Sequence, residues 1–436
     1  MNSKLQTILE SIRTSVWLIP SVMVCCTTLL ALLLLMVDKA NQASNTVFLQ
    51  FFYQVSAESS RAILTTIATS MITITSIAFS ITVVALTLAS SQFGPRLIRN
   101  FMSDKGTQLV LGVFVAIFIY CLLVLQATKS FGQTDFVPGL SVYFALALAF
   151  IGVGVLIYFI HHVAHSIQAD NVVEQVYCEL QNNIARLFPD DSSNDKKQQP
   201  VAHLDSMFKH HCDIKAKADG YVQTVDLDTL LKLGVEYNLG FEVLVAAGDF
   251  VVNEAEIIKV FHHSDSHLPD SDNMQATVVL GSKRTPIQDP EFAIHQLVEI
   301  AVRALSPGIN DPYTAISCVD KLNAMLCKLT RLQFPDVAEY DDDGILRIKV
   351  RPFTFAGLGD AAFNQIRQYA KDSIAVTIRL VDSLECVARH SQSPVHRDFV
   401  SGQLQAIEQI VGQSSISDRD RHDITKRIKN LQSTLS

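Results

Sequence analysis

Residues 62–91 read AILTTIATSMITITSIAFSITVVALTLASS and contain no charged side chain. A helix crosses the hydrocarbon core of a membrane with about 20 predominantly apolar residues. This stretch exceeds that length, so it predicts a transmembrane helix. We therefore expect the chain to be an integral membrane protein.

Three further apolar runs accompany this stretch, at residues 16–37, 109–127 and 137–160. The first run contains Pro20 near its start, where a helix tolerates proline because the first amides have no helical acceptor. It is also longer than the apolar core of about 7–15 residues found in signal peptides. Residues 1–188 are thus predicted to form a four-helix transmembrane domain, with an extension of the fourth helix into the cytosol.

The basic residues indicate the orientation of these spans. Lys4 and Arg13 precede the first span, and Arg96, Arg99 and Lys105 lie between the second and third spans. The two loops on the opposite side contain only Lys39, Arg61 and Lys129. Cytoplasmic loops of membrane proteins are enriched in Lys and Arg. An even number of spans places both termini on one side, so we expect both termini and the large C-terminal domain in the cytosol.

The composition excludes several classes of function. The net charge is −8, and there is no Lys- or Arg-rich tract that would bind nucleic acid. The 8 cysteines form no Cys-x-x-Cys pair or dense framework, which is typical of a reducing compartment. No nucleophile–base pair or glycine-rich phosphate loop stands out. We predict no enzymatic activity and no cofactor.

Two groups of histidines are candidates for a metal site. His161 and His165 are one helical turn apart, a spacing that can hold a metal ion. No further ligand follows them, which favours histidines at the membrane interface. His262, His263 and His267 lie in a polar segment and are interpreted as loop residues. We predict no metal site.

Hydroxyl side chains recur every three or four residues along the second span. Residues with this spacing share one face of a helix. They are Thr66, Thr69, Ser70, Thr73, Ser76, Ser80, Thr87 and Ser91, called the hydroxyl face below. Ile67, Ile74, Ile81 and Leu88 follow a different face at heptad spacing.

The hydroxyl face has two interpretations. Small hydroxyl residues allow membrane helices to pack closely and to form hydrogen bonds across the contact. They also tolerate water, and can therefore line a pore. Both interpretations hold together if this helix is central in an oligomer. The candidate pore-lining residues are Thr66, Thr69, Ser70, Thr73, Ser76, Ser80, Thr87, Arg96 and Arg99.

The second span is predicted to end or bend at Gly94-Pro95, since proline cannot continue a helix. Arg96 and Arg99 follow at the expected cytosolic interface. They are interpreted either as anchors at the membrane surface or as a charged ring at the mouth of a pore.

The remainder of the chain is predicted to be an α+β domain. Residues 189–200 are polar and framed by prolines, so they predict a linker. In residues 201–275, short alternating strands at 212–218, 221–225, 241–246, 250–252 and 257–261 surround a helix at 227–237 capped by Asp226. This small β-rich module resembles the barrel-sandwich type of biotinyl and lipoyl domains. No lysine occupies a matching hairpin, so cofactor attachment is not expected. Residues 276–436 are predicted to be mainly helical.

Two polar segments flank a predicted helix at residues 291–305. Residues 281–290 read GSKRTPIQDP, and residues 303–315 read RALSPGINDPYTA. Glu299 and Arg303 are one turn apart and can pair. Asp311 followed by Pro312 is a strong start signal for a second helix, which extends to about residue 329.

These segments resemble a known family. Residues 284–285, 288–289 and 303–315, together with 79–80, 91–93, 95–96 and 100–101 in the membrane half, are similar to the signature of predicted bacterial inner-membrane proteins with a domain of unknown function 2254. The resemblance covers nearly the whole chain. It implies a multi-pass inner-membrane location and assigns no activity.

The corner between the two helices has two interpretations. In the first, its residues provide only turn and cap geometry. In the second, the free amides at the start of the second helix bind a small anionic ligand, with Arg284, Arg303, Asn310, Asp311 and Thr314 around it. Asp311 argues against this, because its carboxylate already occupies the positive end of the helix.

Two functions remain open at this stage. The first is a homo-oligomeric channel or conductance protein in the lipid bilayer, with a cytosolic sensing domain. The second is a membrane-anchored ligand-binding or signalling module without a pore. A hydroxyl face that packs on the first, third or fourth span would favour the second function.

Overall fold

The structure is a computed structural model that describes residues 17–41, 56–97, 101, 104–128, 136–188, 204–264, 268–335, 337–390 and 393–435. Its contacts divide the chain into two compact units, with the boundary between Asn171 and Val172. The expected linker at 189–200, Arg99 and His267 lie outside the described residues.

The membrane unit contains four long helices. They are α1 (Leu18–Asn41), α2 (Ala57–Phe93), α3 (Lys105–Ala127) and α4 (Gly139–Ser166). All four are long and apolar enough to cross a membrane, which confirms an apolar helix at each of the four predicted spans.

Both ends of α2 follow from local sequence signals. The Ser56 side chain accepts a hydrogen bond from the Ser59 amide and caps the first turn. At the other end Gly94 has a φ of 118°, a backbone conformation that residues other than glycine rarely adopt. Pro95–Leu97 then form a short 3₁₀ turn. The predicted helix end at Gly94-Pro95 is therefore correct.

The core of the membrane unit lies around α3, which packs against the other three helices. Phe114 and Tyr120 of α3 are fully buried among residues such as Leu64 of α2 and Phe159 of α4. The Tyr120 hydroxyl donates a hydrogen bond to the Ser141 carbonyl at 3.0 Å, so the buried phenol is satisfied.

The second unit is a mixed α+β region. Its elements in chain order are α5 (Ala169–Leu187), α6 (Leu204–Met207), β1 (His210–Lys215), β2 (Gly220–Val225), α7 (Leu227–Glu236), β3 (Gly240–Val243), β4 (Phe250–Val251), β5 (Glu256–His262), α8 (Ser271–Gln275), β6 (Val278–Gly281), α9 (Glu291–Ala304), α10 (Pro312–Leu329), β7 (Ala338–Tyr340), β8 (Leu346–Val350), α11 (Phe355–Tyr369), α12 (Ile374–His390), α13 (Pro394–Gln413) and α14 (Asp418–Leu435).

The strands form two sheets. One has the order β1-β5-β3-β8-β7 and the other the order β4-β2-β6. All neighbours are antiparallel except β3 and β8, which run parallel. Their shared core includes Val222, Phe241, Ile258 and Ile348.

This topology does not confirm a barrel-sandwich module confined to residues 201–275. The predicted strands within that range are present with shifted ends, but β6 pairs with β2, and β8 lies between β3 and β7. The pairing of β3 with a strand about a hundred residues downstream leaves no trace in local periodicity. The β-rich part therefore draws on residues beyond 275.

The helices α9 to α14 complete the region. The predicted helices at 291–305 and from Pro312 correspond to α9 and α10. Their buried residues, such as Ile294, Leu297, Cys318 and Leu322, recur at three- and four-residue spacing and face the interior.

Candidate functional site

The hydroxyl face of α2 is exposed on the described part of this chain. Every one of its residues, from Thr66 to Ser91, lies outside the core of the membrane unit. The buried residues of the helix instead include Leu64, Ile67, Met71 and Ala78, which pack with residues of α3 and α4. The hydroxyl face is therefore not packed on the first, third or fourth span.

Helix geometry places the two sets on opposite sides of α2. At about 100° per residue, the hydroxyl face covers an arc of about 120°, centred roughly opposite the buried residues. Ile77 and Val84 fall within the same arc. The outward surface of α2 is thus a mixed surface in which hydroxyl groups predominate.

Five of the eight hydroxyl groups donate hydrogen bonds within their own helix. Thr66 donates to the Ala62 carbonyl at 2.7 Å, and Ser80 donates to the Ser76 carbonyl at 2.9 Å. Thr73 and Thr87 also donate to the carbonyl four residues earlier, and Ser91 donates to the Leu88 carbonyl three residues earlier. Each hydroxyl oxygen keeps lone pairs that can accept a further hydrogen bond. The face can therefore accept hydrogen bonds from water or from another helix.

The apolar residues at heptad spacing on α2 differ in exposure along the helix. Ile67 is buried and Ile74 is half-buried, as expected for a separate face. Ile81 is 41% exposed and Leu88 is 47% exposed. A strict heptad drifts by about 20° per repeat around a straight helix, which carries the later members toward the outward side. The expected separation of the two faces holds only in the first half of α2.

The length of α2 also exceeds what a membrane requires. Its 37 residues extend over about 55 Å at 1.5 Å per residue, whereas the hydrocarbon core is about 30 Å thick. Arg96 follows the helix end and is exposed, and Arg99 is outside the described residues. The position of Arg96 just beyond the helix fits both interpretations of this residue.

A buried carboxylate joins α1 to α4, and the sequence did not reveal it. Asp38 is fully buried and accepts hydrogen bonds from the Leu140 amide at 3.1 Å and from the Ser141 amide at 3.0 Å. The Ser141 hydroxyl also donates to it at 2.6 Å. Asp38 therefore caps α4 from another helix. The sequence signal for this contact is a single acidic residue, Asp38, directly after the first apolar run.

A second polar contact joins the start of α3 to the end of α4. Asp104 caps α3 through the Thr107 amide at 2.8 Å, and its carboxylate lies 2.7 Å from His162 Nε2. Burial raises the pKa of Asp104, but the hydrogen bonds with His162 and Thr107 outweigh it and lower the pKa overall. A side chain at Gly106 would clash with the His162 ring. The contact therefore requires glycine there.

The other histidines considered above stack on neighbouring rings. The His161 and His165 rings are 6.1 Å apart and nearly parallel. His262 ends β5 rather than lying in a loop, and its ring stacks on that of His210 at 5.7 Å. The prediction of a loop at His262 is therefore wrong, because the residue extends the antiparallel pairing of β1 with β5.

The segment before α9 attaches that helix to the sheet. Arg284 donates two hydrogen bonds to Asp289, at 2.7 and 2.9 Å, and lies 3.5 Å from Glu291. Asp289 is only 1% exposed. The Gln288 amide group accepts from the Val225 amide at 2.8 Å and donates to the Val225 carbonyl at 3.1 Å, as a neighbouring strand would. These contacts support the interpretation in which the segment provides structure rather than a ligand site.

The corner between α9 and α10 is a turn closed by a cap. The Thr314 amide and hydroxyl donate to the Asp311 carboxylate at 3.2 and 2.5 Å, which confirms Asp311 as the N-cap. Asn310 has a φ of 49°, in the left-handed region that asparagine tolerates. Arg303 Nε lies 3.5 Å from Glu299, which confirms that predicted pair.

The five residues predicted to bind an anion do not converge. Arg284 contacts Glu291 at the start of α9, whereas Arg303 lies near its end. The intervening helix is about 18 Å long at 1.5 Å per residue. Arg303, Asn310, Asp311 and Thr314 share the corner, and Arg284 belongs to the attachment of α9 to the sheet.

Four apolar helices followed by a mixed α+β region define a multi-span membrane protein with a large additional domain. The profile of the DUF2254 family, described as a predicted membrane protein, matches residues 13–386. The chain belongs to this family, as the resemblance of its motifs predicted.

Similar proteins occur in mycobacteria. An uncharacterized protein of Mycobacterium bovis is 30% identical over 428 residues, which is 97% of this chain and 81% of the mycobacterial protein. An uncharacterized protein of Mycobacterium tuberculosis has the same identity and coverage. No solved structure matches the chain.

Proposed function

We propose that this protein is a homo-oligomeric channel of the bacterial inner membrane, in which the hydroxyl faces of several α2 helices surround a water-filled pore. The α+β region lies in the cytosol in this proposal and acts as a sensing domain. The observation that supports the proposal most strongly is the exposure of the whole hydroxyl face on a single chain.

The outward surfaces of the other spans provide the comparison. The most exposed residues of α1 include Leu29, Leu33 and Met36, and those of α4 include Phe150 and Ile157. Such surfaces suit contact with lipid, since acyl chains are as apolar as these side chains. The outward surface of α2 has a row of hydroxyl groups beside its exposed apolar side chains, over most of its length. A second copy of the chain or water accounts for that difference better than lipid does.

Charge at one end of α2 supports a preference for anions. Arg96 is exposed directly after the helix end, and rings of Arg or Lys select anions in channels. In an oligomer each chain would contribute one Arg96 to the same end of the pore. The competing function, a membrane-anchored module without a pore, leaves the hydroxyl face in contact with lipid.

Accessibility of single cysteines to a charged, membrane-impermeant thiol reagent tests this proposal. The variants Thr69→Cys, Thr73→Cys, Ser76→Cys and Ser80→Cys are made in a background without the native cysteines and assayed in intact membranes. Ala78→Cys is the buried control, because Ala78 is 1% exposed. Ile72→Cys and Phe79→Cys are lipid controls, because these side chains are exposed but lie beside the hydroxyl face.

The proposal predicts rapid modification at the hydroxyl positions and little at either control. The lipid controls are essential, because they separate exposure to water from mere exposure on the isolated chain. Equal protection of hydroxyl positions and lipid controls would refute the pore and favour the anchored module.

A further inference from the structure

Two cysteines and a histidine meet where α10 packs against α12. Cys327 lies near the end of α10, and Cys386 and His390 lie one turn apart at the end of α12. The two sulfur atoms are 3.5 Å apart, and Cys386 Sγ lies 3.7 Å from His390 Nδ1. Within the described part of the chain, this is the one group of three such side chains whose ligand atoms lie within 4.8 Å of one another.

These separations match the edges of a metal tetrahedron. Zinc binds thiolate sulfur at about 2.3 Å and imidazole nitrogen at about 2.0–2.1 Å. A tetrahedral arrangement with those bond lengths separates two sulfur ligands by about 3.8 Å and a sulfur from a nitrogen by about 3.6 Å. The observed separations differ from these by a few tenths of an ångström. Rotation of the three side chains would therefore bring their ligand atoms, which all lie within 4.8 Å of one another, to the distances that an ion requires.

We propose that Cys327, Cys386 and His390 bind a thiophilic divalent metal ion, Zn²⁺ above all. Thiolate and imidazole ligands together favour zinc over calcium or magnesium, which prefer oxygen ligands. Three protein ligands leave a fourth position for water. Asn323, whose Oδ1 lies 3.5 Å from Cys327 Sγ, borders the sulfur on the same helix. This proposal is independent of the pore.

Binding of the ion requires the ligands to lose protons. Burial, with a further contribution from Cys386, raises the pKa of the Cys327 thiol to about 12, and Arg331 opposes this weakly. His390 Nδ1 also lies 2.8 Å from the Cys386 carbonyl, so the imidazole must turn or change tautomer before Nδ1 can bind metal. Metal affinity should therefore increase with pH, because the thiols release their protons on binding.

The site would connect two helices that are distant in sequence. Cys327 and Cys386 are 59 residues apart, and Thr330 and His390 continue the contact between the same two helix ends. A bound ion would fix the end of α12 to that of α10. Both cysteines are half-buried and His390 is exposed, so an ion can enter from solvent.

Titration of the purified full-length protein with Co²⁺, kept reduced, tests the proposal. We expect one Co²⁺ per chain, with intense visible bands of a tetrahedral ion and a near-ultraviolet thiolate charge-transfer band. Zn²⁺ should abolish both by displacement. Cys327→Ser and Cys386→Ser should lose the charge-transfer band, and His390→Gln should weaken binding by at least about 10-fold.

A control variant and a measurement of folding distinguish binding at these three residues from other effects of the substitutions. Cys178→Ser removes an exposed thiol on α5 and should bind Co²⁺ as the unaltered protein does. His390→Gln alters an exposed residue at a helix end, so its circular dichroism spectrum should be unchanged. Absence of the Co²⁺ bands in the reduced protein would overturn the proposal, as would full retention of the bands in the Cys327 and Cys386 variants. Rapid formation of a Cys327–Cys386 disulfide without metal binding would identify the pair as a redox site instead.

Discussion

Replacement of Arg284 by methionine should destabilise the α+β region strongly. Arg284 gives two hydrogen bonds to Asp289, which is 1% exposed and also accepts from the Glu291 amide at 3.0 Å. Removal of the arginine leaves a buried carboxylate without its cation. The interpretation under test is that this segment attaches α9 to the sheet rather than binding a ligand.

The structure sets the expected size of the effect. Loss of one partner from a buried ion pair lowers the free energy of unfolding by about 3–5 kcal/mol. The Arg284 side chain is 24% exposed, so the lower end of that range, about 3 kcal/mol, is appropriate. For a domain of this size each kcal/mol corresponds to roughly 2–4 °C in Tm. The expected decrease is therefore about 6–12 °C.

The loss should also depend on pH. Burial raises the pKa of Asp289 even beside Arg284, and removal of the cation should raise that pKa further. A carboxyl group whose pKa is higher in the folded state than in the unfolded state binds more protons when folded, so its contribution to stability decreases as pH rises. The Arg284→Met variant should thus lose more stability at pH 8 than near pH 5.

Thermal unfolding followed by circular dichroism in detergent measures both effects. Arg351→Met is the matched control, because Arg351 pairs with Asp249 at 3.0 Å but is 56% exposed. An exposed pair contributes at most about 1 kcal/mol. The double variant Arg284→Met/Asp289→Leu should recover most of the loss, since it removes the isolated charge. If Arg284→Met unfolds at the same temperature as Arg351→Met, the reasoning is wrong.

Two further predictions concern the cap and the topology. Asp311→Ala should lower the stability of the α+β region by about 0.5–2 kcal/mol, because the Thr314 amide loses its acceptor; an unchanged Tm would contradict the cap. Reporter fusions at residue 129 and at the C-terminus should report opposite sides of the membrane, with the C-terminus in the cytosol. The same side for both fusions would contradict the orientation inferred from the basic residues.

Local signals predicted the elements whose causes are local. The apolar runs predicted four spans, because a membrane imposes a minimum length on each helix. Asp226 and Asp311 predicted helix starts, since a cap contacts an amide only three residues away. Gly94 and Pro95 marked the end of α2, since both act on the local backbone conformation.

Features that depend on contacts between residues far apart in sequence were not predicted. The insertion of β8 beside β3 joins segments about a hundred residues apart. Asp38 contacts Ser141 across the membrane unit, and the periodicity of neither helix indicates it. Cys327, Cys386 and His390 come together only because α10 packs on α12. Of the candidate anion-binding residues, Arg284 and Arg303 lie at opposite ends of α9, a separation that depends on the fold of the segment before the helix.

Flux through liposomes that contain the purified protein tests the central claim most directly. A cysteine-free background with Ser76→Cys should conduct small ions above the level of protein-free liposomes, and a charged thiol reagent should block that flux. The same reagent should leave Ala78→Cys unaffected, because that side chain faces α3 and α4 rather than the pore. Absence of flux through the unaltered protein would contradict the claim that the hydroxyl face of α2 lines a pore. The claim would also be contradicted if the reagent left the flux unchanged in all three of the variants Ser76→Cys, Thr73→Cys and Ser80→Cys.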